Sequence, residues 1–174
     1  WTALYLSLGS LCNQVSEPRR DWANNRYTQQ RFDQTSEASM SRQAKAVVCR
    51  ELNAPVTVET VRIDSPGPGE VMLKLAACGV CHSDLSATNG TIALPPPIVL
   101  GHEAAGEVIE VGEGVSTLAV GDHVVSSFIY MCGQCRFCAG GRPVLCVDQG
   151  KALLTPPAGQ PRVHDAAGQP LNIF

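Results

Sequence analysis

Residues 132–146 read CGQCRFCAGGRPVLC, which places Cys132, Cys135, Cys138 and Cys146 within fifteen positions. A disulfide framework usually spreads its bridges to staple distant loops, so four thiols this close together read as a metal site. Four thiolates suit tetrahedral zinc, an ion with no geometric preference of its own that binds sulfur at ~2.3 Å. With no coordination position left open, such a site is structural. Gly133, Gly140 and Gly141 allow the chain to wrap around one ion, because glycine accepts the backbone angles that tight loops require. A pair of disulfides, free thiols and an iron–sulfur cluster are the competing readings, and metal analysis separates them.

A second constellation lies upstream. Cys78-Gly79-Val80-Cys81-His82-Ser83-Asp84 is followed by Gly101-His102-Glu103, with His102 twenty-one residues after Cys81. Taken alone, Cys78-x2-Cys81 could be a redox pair, but a thioredoxin-like motif needs a βαβ context that this strand-rich stretch does not offer. Cys81, His102 and Glu103 are of the types that bind zinc with an open position, and an open position is what catalysis uses. Cys12, Cys49 and Cys78 have no metal-spaced partner beyond that pair and read as small apolar fillers. No role is assigned to His123 or His164.

Around these motifs the pattern is that of strands. Ala44–Cys49 is compact and apolar, Val56, Val58, Val61 and Ile63 alternate imperfectly, and Val71, Leu73, Leu75 and Ala77 follow at period two after the turn Pro66-Gly67-Pro68-Gly69. A short helix is expected over Ser83–Asn89, with Ser83 or its neighbour as cap and Gly90 as stop. Pro95-Pro96-Pro97 forces extended backbone into Ile98–Leu100. Further strands are expected at Glu107–Val111 and His123–Phe128. From Val147 onward, scattered proline and glycine read as a long surface loop.

The chain of 174 residues is the span of about one ordinary domain. Charged residues are 17% and the net charge is -3, a balance that indicates neither general disorder nor a polyanion-binding surface, so nucleic acid is not an expected partner. Thiolate clusters persist where thiols stay reduced, which points to the cytoplasm. The apolar opening Trp1–Cys12 is shorter than the ~20 residues a bilayer crossing needs and lacks a basic start, so no membrane segment is expected. Glu17–Arg42 carries mixed charges among Asn, Gln, Ser and Thr with no apolar stripe. Residues 1–39 therefore read as a poorly ordered extension, either a leader or a coding start placed upstream of Met40, and residues 40–174 as the folded domain.

In their order and spacing, GVCHSD (79–84), GHEAAGEVIEVGEGV (101–115), GDHV (121–124) and the four-cysteine stretch resemble the catalytic domain of zinc-dependent alcohol dehydrogenases of the medium-chain dehydrogenase/reductase family, over about residues 43–174. The resemblance implies a mainly β fold, the GroES-like irregular β-barrel with short helices and a zinc-binding loop, which a Rossmann domain follows in the chain. Residues 168–174, GQPLNIF, are similar to the branch that includes animal-type alcohol dehydrogenases and glutathione-dependent formaldehyde dehydrogenases.

Carried over by position, the resemblance makes Cys81 and His102 ligands of a catalytic zinc, with Glu103 as an occasional alternative ligand. It makes Asp84 the acceptor for the other ring nitrogen of His102; the plainer reading of Asp84 is a helix-start carboxylate. Ser83 becomes the acceptor of the alcohol proton, against a plainer reading as a cap, His82 faces the cofactor pyrophosphate, and Phe128 lines the substrate pocket, against core packing. The implied cofactors are a structural zinc, a catalytic zinc and NAD(P); the implied partner is a small alcohol or aldehyde, and the intact enzyme is expected to be a homo-oligomer.

Two departures bear on this. Ser86 stands where many family members carry the histidine that ends the proton relay. The family's third catalytic zinc ligand, a cysteine, and its GxGxxG turn are not found in these 174 residues, so the catalytic site is expected to be incomplete and this chain alone inactive. A zinc-stabilised binding module without chemistry, and a related reductase such as a thiol-dependent formaldehyde dehydrogenase, are the alternatives.

Overall fold

The computed structural model describes residues 3–7, 11–12, 41–149 and 161–174. In chain order the elements are β1 (Ala3–Ser7), β2 (Leu11–Cys12), β3 (Arg42–Cys49), β4 (Thr57–Ile63), β5 (Glu70–Cys78), α1 (His82–Thr88), β6 (Ile98–Leu100), β7 (Ala104–Val111), β8 (His123–Ser126), α2 (Arg136–Ala139), a 3-10 turn at Pro143–Leu145, β9 (Val163–His164) and β10 (Asn172–Ile173). They make two five-stranded sheets, ordered β1-β5-β7-β8-β2 and β10-β6-β3-β4-β9. The two edges of the first sheet are neighbouring stretches of chain, so that sheet nearly closes on itself like a barrel. Strands dominate as expected. Apart from β1 and β2, residues 1–40, on which the expectation of a poorly ordered extension falls, lie outside the described residues.

The strand β5 shows why the sheets pack as they do. Glu70, Val71, Met72 and Leu73 are all buried, a continuous run rather than an alternation, because both faces of the strand are covered. Met72 joins Ala44, Val48, Val61, Ile63, Val99, Val163 and Leu171 in one core cluster. Val71 and Leu73 join Val108 and Val124 in another. A third cluster, Cys49, Ala87, Leu94, Ile98 and Phe174, sits under α1.

The tail departs from the surface loop expected after Val147. Val163, Leu171 and Phe174 are buried, β9 pairs with β4, and β10 lies parallel to β6. Two-residue strands are too short to show a hydrophobic period, and their partners lie far away in sequence, so composition alone reads this segment as loop. Polar contacts anchor it as well. Glu70 is fully buried, and its Oε2 accepts from Arg162 Nε at 3.1 Å and from the Gly67 N–H at 2.5 Å. Arg50 reaches both Glu59 on β4 and, at 3.0 Å, Asp165 in the tail. The Arg50 hydrogen bonds hold the Glu59 carboxyl below the usual carboxylate range. Asp165 is lowered first by the Gln169 N–H and then by Arg50.

Smaller corrections concern boundaries. The helix runs from His82 to Thr88, one residue earlier than expected, with Cys81 as its N-cap. β7 begins at Ala104, and β8 stops at Ser126, which leaves Phe128 outside the strand. Among the described residues no helix is long and apolar enough to cross a membrane.

Candidate functional site

The four cysteines of residues 132–146 converge: their sulfurs all lie within 4.8 Å of one another. Backbone N–H groups organise them in sequence, from Cys132 to the Cys146 sulfur at 3.3 Å, from Cys135 to the Cys132 sulfur at 3.3 Å, and from Cys138 to the Cys135 sulfur at 3.5 Å. Cys135 also caps α2, so the short helix exists to hand an amide to a sulfur. That amide is the main cause that pulls the Cys135 thiol down to about 6, whereas desolvation, followed by the neighbouring sulfurs, pushes Cys138 up to about 12. Four soft donors already gathered at this spacing fit a tetrahedral zinc.

The second group is assembled from two places in the chain. Cys81 comes from the start of α1, His102 and Glu103 from the turn between β6 and β7, and their donor atoms again lie within 4.8 Å. Ser83 Oγ stands between them, 3.1 Å from Cys81 Sγ and 3.0 Å from His102 Nε2. His102 is largely buried and its Nδ1 makes no hydrogen bond. A buried imidazole with a thiol and a carboxylate beside it fits a cation that takes nitrogen and sulfur ligands, which zinc does.

Two glycines permit this approach. A Cβ on Gly79 would collide with the Glu103 carboxylate, and Gly101 has φ +112, a conformation that disfavours any other residue. Asp84 spans both halves of the site: its Oδ2 accepts the Cys81 N–H at 2.9 Å and its Oδ1 accepts the Gly101 N–H at 3.1 Å. Its Oδ1 is 3.4 Å from His102 Nδ1 without forming a hydrogen bond. Asp84 thus organises the helix start and also stands beside the buried ring nitrogen of His102.

The remaining expected residues are distributed around this group. Phe128 is 44% exposed, with its ring centroid 4.9 Å from that of His102. His82 is exposed, and its Nδ1 lies 3.4 Å from Ser86 Oγ on the next turn of α1. Cys78 is exposed and therefore not the apolar filler expected: it ends β5, past the stretch that both cores cover. Cys49 is buried as expected, and the side chain of Cys12 lies outside the described residues. His164 is a half-buried neighbour of Asp64 at 3.4 Å, away from both groups.

Sequence reasoning missed two contacts to His102. Ser126 Oγ donates to the His102 carbonyl at 2.8 Å and accepts the Ala104 N–H at 2.7 Å, clamping the backbone on either side of Glu103. Phe174 sets its ring edge-on against the imidazole at 4.7 Å. Ser126 carries no motif signal, and the GQPLNIF stretch that ends at Phe174 does not point to His102, because each reaches the site only through strand pairing.

A family model described as the alcohol dehydrogenase GroES-like domain matches residues 67–165. A putative alcohol dehydrogenase D of Mycobacterium tuberculosis is 49% identical over 123 residues, covering 68% of this chain and 33% of its own length. An NDMA-dependent alcohol dehydrogenase of Amycolatopsis methanolica is 45% identical over 122 residues, covering 69% of this chain and 33% of its own. Among solved structures, an alcohol dehydrogenase zinc-binding domain protein from Burkholderia ambifaria superposes with a TM-score of 0.73 at 40% identity, over 77% of this chain and 36% of that one. The chain thus spans about a third of the length of these curated relatives.

Proposed function

We propose, from the premise that this chain belongs to the alcohol dehydrogenase GroES-like domain family, that it forms the zinc-binding catalytic portion of an enzyme interconverting an alcohol and its aldehyde with a nicotinamide cofactor. Cys81 and His102 would hold a zinc ion, with Glu103 as an alternative ligand, and Cys132, Cys135, Cys138 and Cys146 a second, structural one. When bound, the first ion supplies a Lewis acid that polarises the substrate oxygen, and the cofactor gives or takes the hydride. The observation that carries this reading is the Ser83 hydroxyl poised between Cys81 Sγ and His102 Nε2. A module that only held a loop together has no use for that hydroxyl.

Ser83 acts as the proton acceptor for the substrate hydroxyl and passes its own proton onward through water or cofactor hydroxyls, since position 86 is a serine. Asp84 keeps the backbones of Cys81 and Gly101 at fixed spacing through the two amides it accepts. The exposed Phe128 ring excludes water from the substrate side. His82, exposed at the start of α1, meets the cofactor phosphates.

Among the described residues a catalytic ion would have one thiolate and one imidazole as regular ligands and the Glu103 carboxylate as an imperfect third, where a catalytic zinc usually has three well-placed protein ligands. Hydride transfer also needs donor and acceptor held together. The purified chain is therefore expected to hold about one tightly bound zinc and to show no alcohol-dependent NAD(P) reduction. Metal analysis and a cofactor-absorbance assay test this. Robust turnover by the chain alone, or the absence of any bound zinc, overturns the reading.

A further inference from the structure

Glu103 differs from the other two members of its group. The His102 ring has polar neighbours on both nitrogens, Ser83 Oγ at 3.0 Å from Nε2 and the Asp84 carboxylate at 3.4 Å from Nδ1. Glu103 is exposed, and long exposed side chains ordinarily keep their rotamer freedom. Its carboxylate nevertheless lies within 4.8 Å of the Cys81 and His102 donor atoms. An exposed side chain held at such a place has to be aimed from its backbone.

That backbone is tied on both flanks, one residue before β7 begins. On one flank the β5–β7 ladder ends with Cys78 opposite Ala104, and the N–H that follows, of Gly79, donates to the Glu103 carbonyl at 2.8 Å. On the other flank the β7–β8 ladder ends with Ala105 opposite Val125. The next residue, Ser126, adds a rung with its side chain: Oγ accepts the Ala104 N–H at 2.7 Å and donates to the His102 carbonyl at 2.8 Å. Those two groups belong to the peptide before Glu103 and the peptide after it. Since peptides are planar, one hydroxyl acting as donor and acceptor restrains the two soft torsions between them, φ and ψ of Glu103. The backbone torsions in turn select the side-chain rotamer. Gly79 leaves room for the result, because a Cβ there would collide with Glu103 Oε2 and stand 3.1 Å from the Glu103 Cβ.

We infer that Ser126 is the positioning residue for Glu103, its hydroxyl fixing the direction in which the carboxylate leaves the backbone and so keeping it within ligand reach of Cys81 and His102. The metal part of this inference rests on the proposed site; the backbone clamp does not. Two measurements are made on the full chain with zinc already at the four cysteines: NMR contacts between the Glu103 side chain and the Gly79 α-protons, and the affinity for added cobalt by absorbance. In Ser126→Ala the Glu103–Gly79 contacts should weaken and cobalt affinity should fall by roughly tenfold, the scale typical of residues that orient a ligand, with the zinc of the four-cysteine loop retained. Ser126→Thr keeps the hydroxyl and should match the parent in both. In a Glu103→Ala background, Ser126→Ala should change cobalt affinity by less than about twofold, because the group it aims is gone. Unchanged Glu103–Gly79 contacts in Ser126→Ala, a Ser126→Thr variant that behaves like Ser126→Ala, or a cobalt loss as large in the Glu103→Ala background as in the parent, overturns the inference. If the parent takes up no cobalt, or Glu103→Ala does not weaken its uptake, while Ser126→Ala still frees the Glu103 side chain, the positioning role stands and the ligand reading of Glu103 falls.

Discussion

The two sulfur-containing groups are built on opposite plans. In the loop of residues 132–146 every donor and every amide that supports it comes from one short stretch, and α2 consists of only four residues. In the group of Cys81, His102 and Glu103 the donor groups arrive from a helix start and a strand connection, and residues of β8 and the tail contact them. A local site carries its geometry in its own spacing and has little to hold it folded except the ion. A distributed site borrows rigidity from the sheets that carry its parts.

If that contrast is correct, removal of a ligand should have different consequences at the two places. Binding energy at a closed thiolate site is largely folding energy. Cys138→Ser should therefore lose the zinc of the loop and lower the melting midpoint by roughly 10 °C, read by metal analysis and calorimetry. Full zinc content with an unchanged midpoint would remove the four-thiolate assignment. Cys81→Ser should behave in the reverse way: uptake of a second ion weakens beyond the roughly 10–100-fold cost of disturbing a residue around a ligand, while the midpoint scarcely moves. A large fall in melting temperature there would show that the second site is also a folding element.

The next effect is confined to chemistry. In a longer protein that contains this chain together with the cofactor-binding portion, Ser83→Ala should reduce turnover by ~10²-fold with metal content unchanged. Unchanged turnover under a rate-limiting chemical step would return Ser83 to the role of a helix-start residue. The smallest effect concerns the scaffold that the distributed site relies on. Glu59 and Asp165 have their folded values depressed, so their contribution is present above the ordinary carboxylate range and is lost as pH falls through the depressed values. Arg50→Ala should accordingly lower the melting midpoint modestly near neutral pH, and the difference from the parent should vanish in acid. A difference that persists in acid would mean that the Arg50 side chain acts by packing and not by its ion pairs.

The same contrast explains what could be read before the structure was known. The four-cysteine loop is legible because its spacing is its geometry. Cys81, Ser83, His102 and Glu103 are legible by residue type and order, since a thiol, a hydroxyl, an imidazole and a carboxylate at those intervals have few other uses together. Phe174 and Ser126 were not legible: strand pairing that no short-range pattern encodes brings them to His102. The tail failed for a related reason, with Val163, Leu171 and Phe174 buried one at a time among prolines and glycines. Cys78 was misjudged because nothing in the sequence marks where along β5 the cores stop covering it.

Asp84 has a further consequence. One carboxylate grips the amide before the helix and the amide before His102, so the separation between the thiol-bearing and imidazole-bearing backbones is set before any ion arrives. A cradle of fixed span cannot relax to suit whichever cation is most abundant, and must discriminate by ionic size and by preference for sulfur and nitrogen over oxygen.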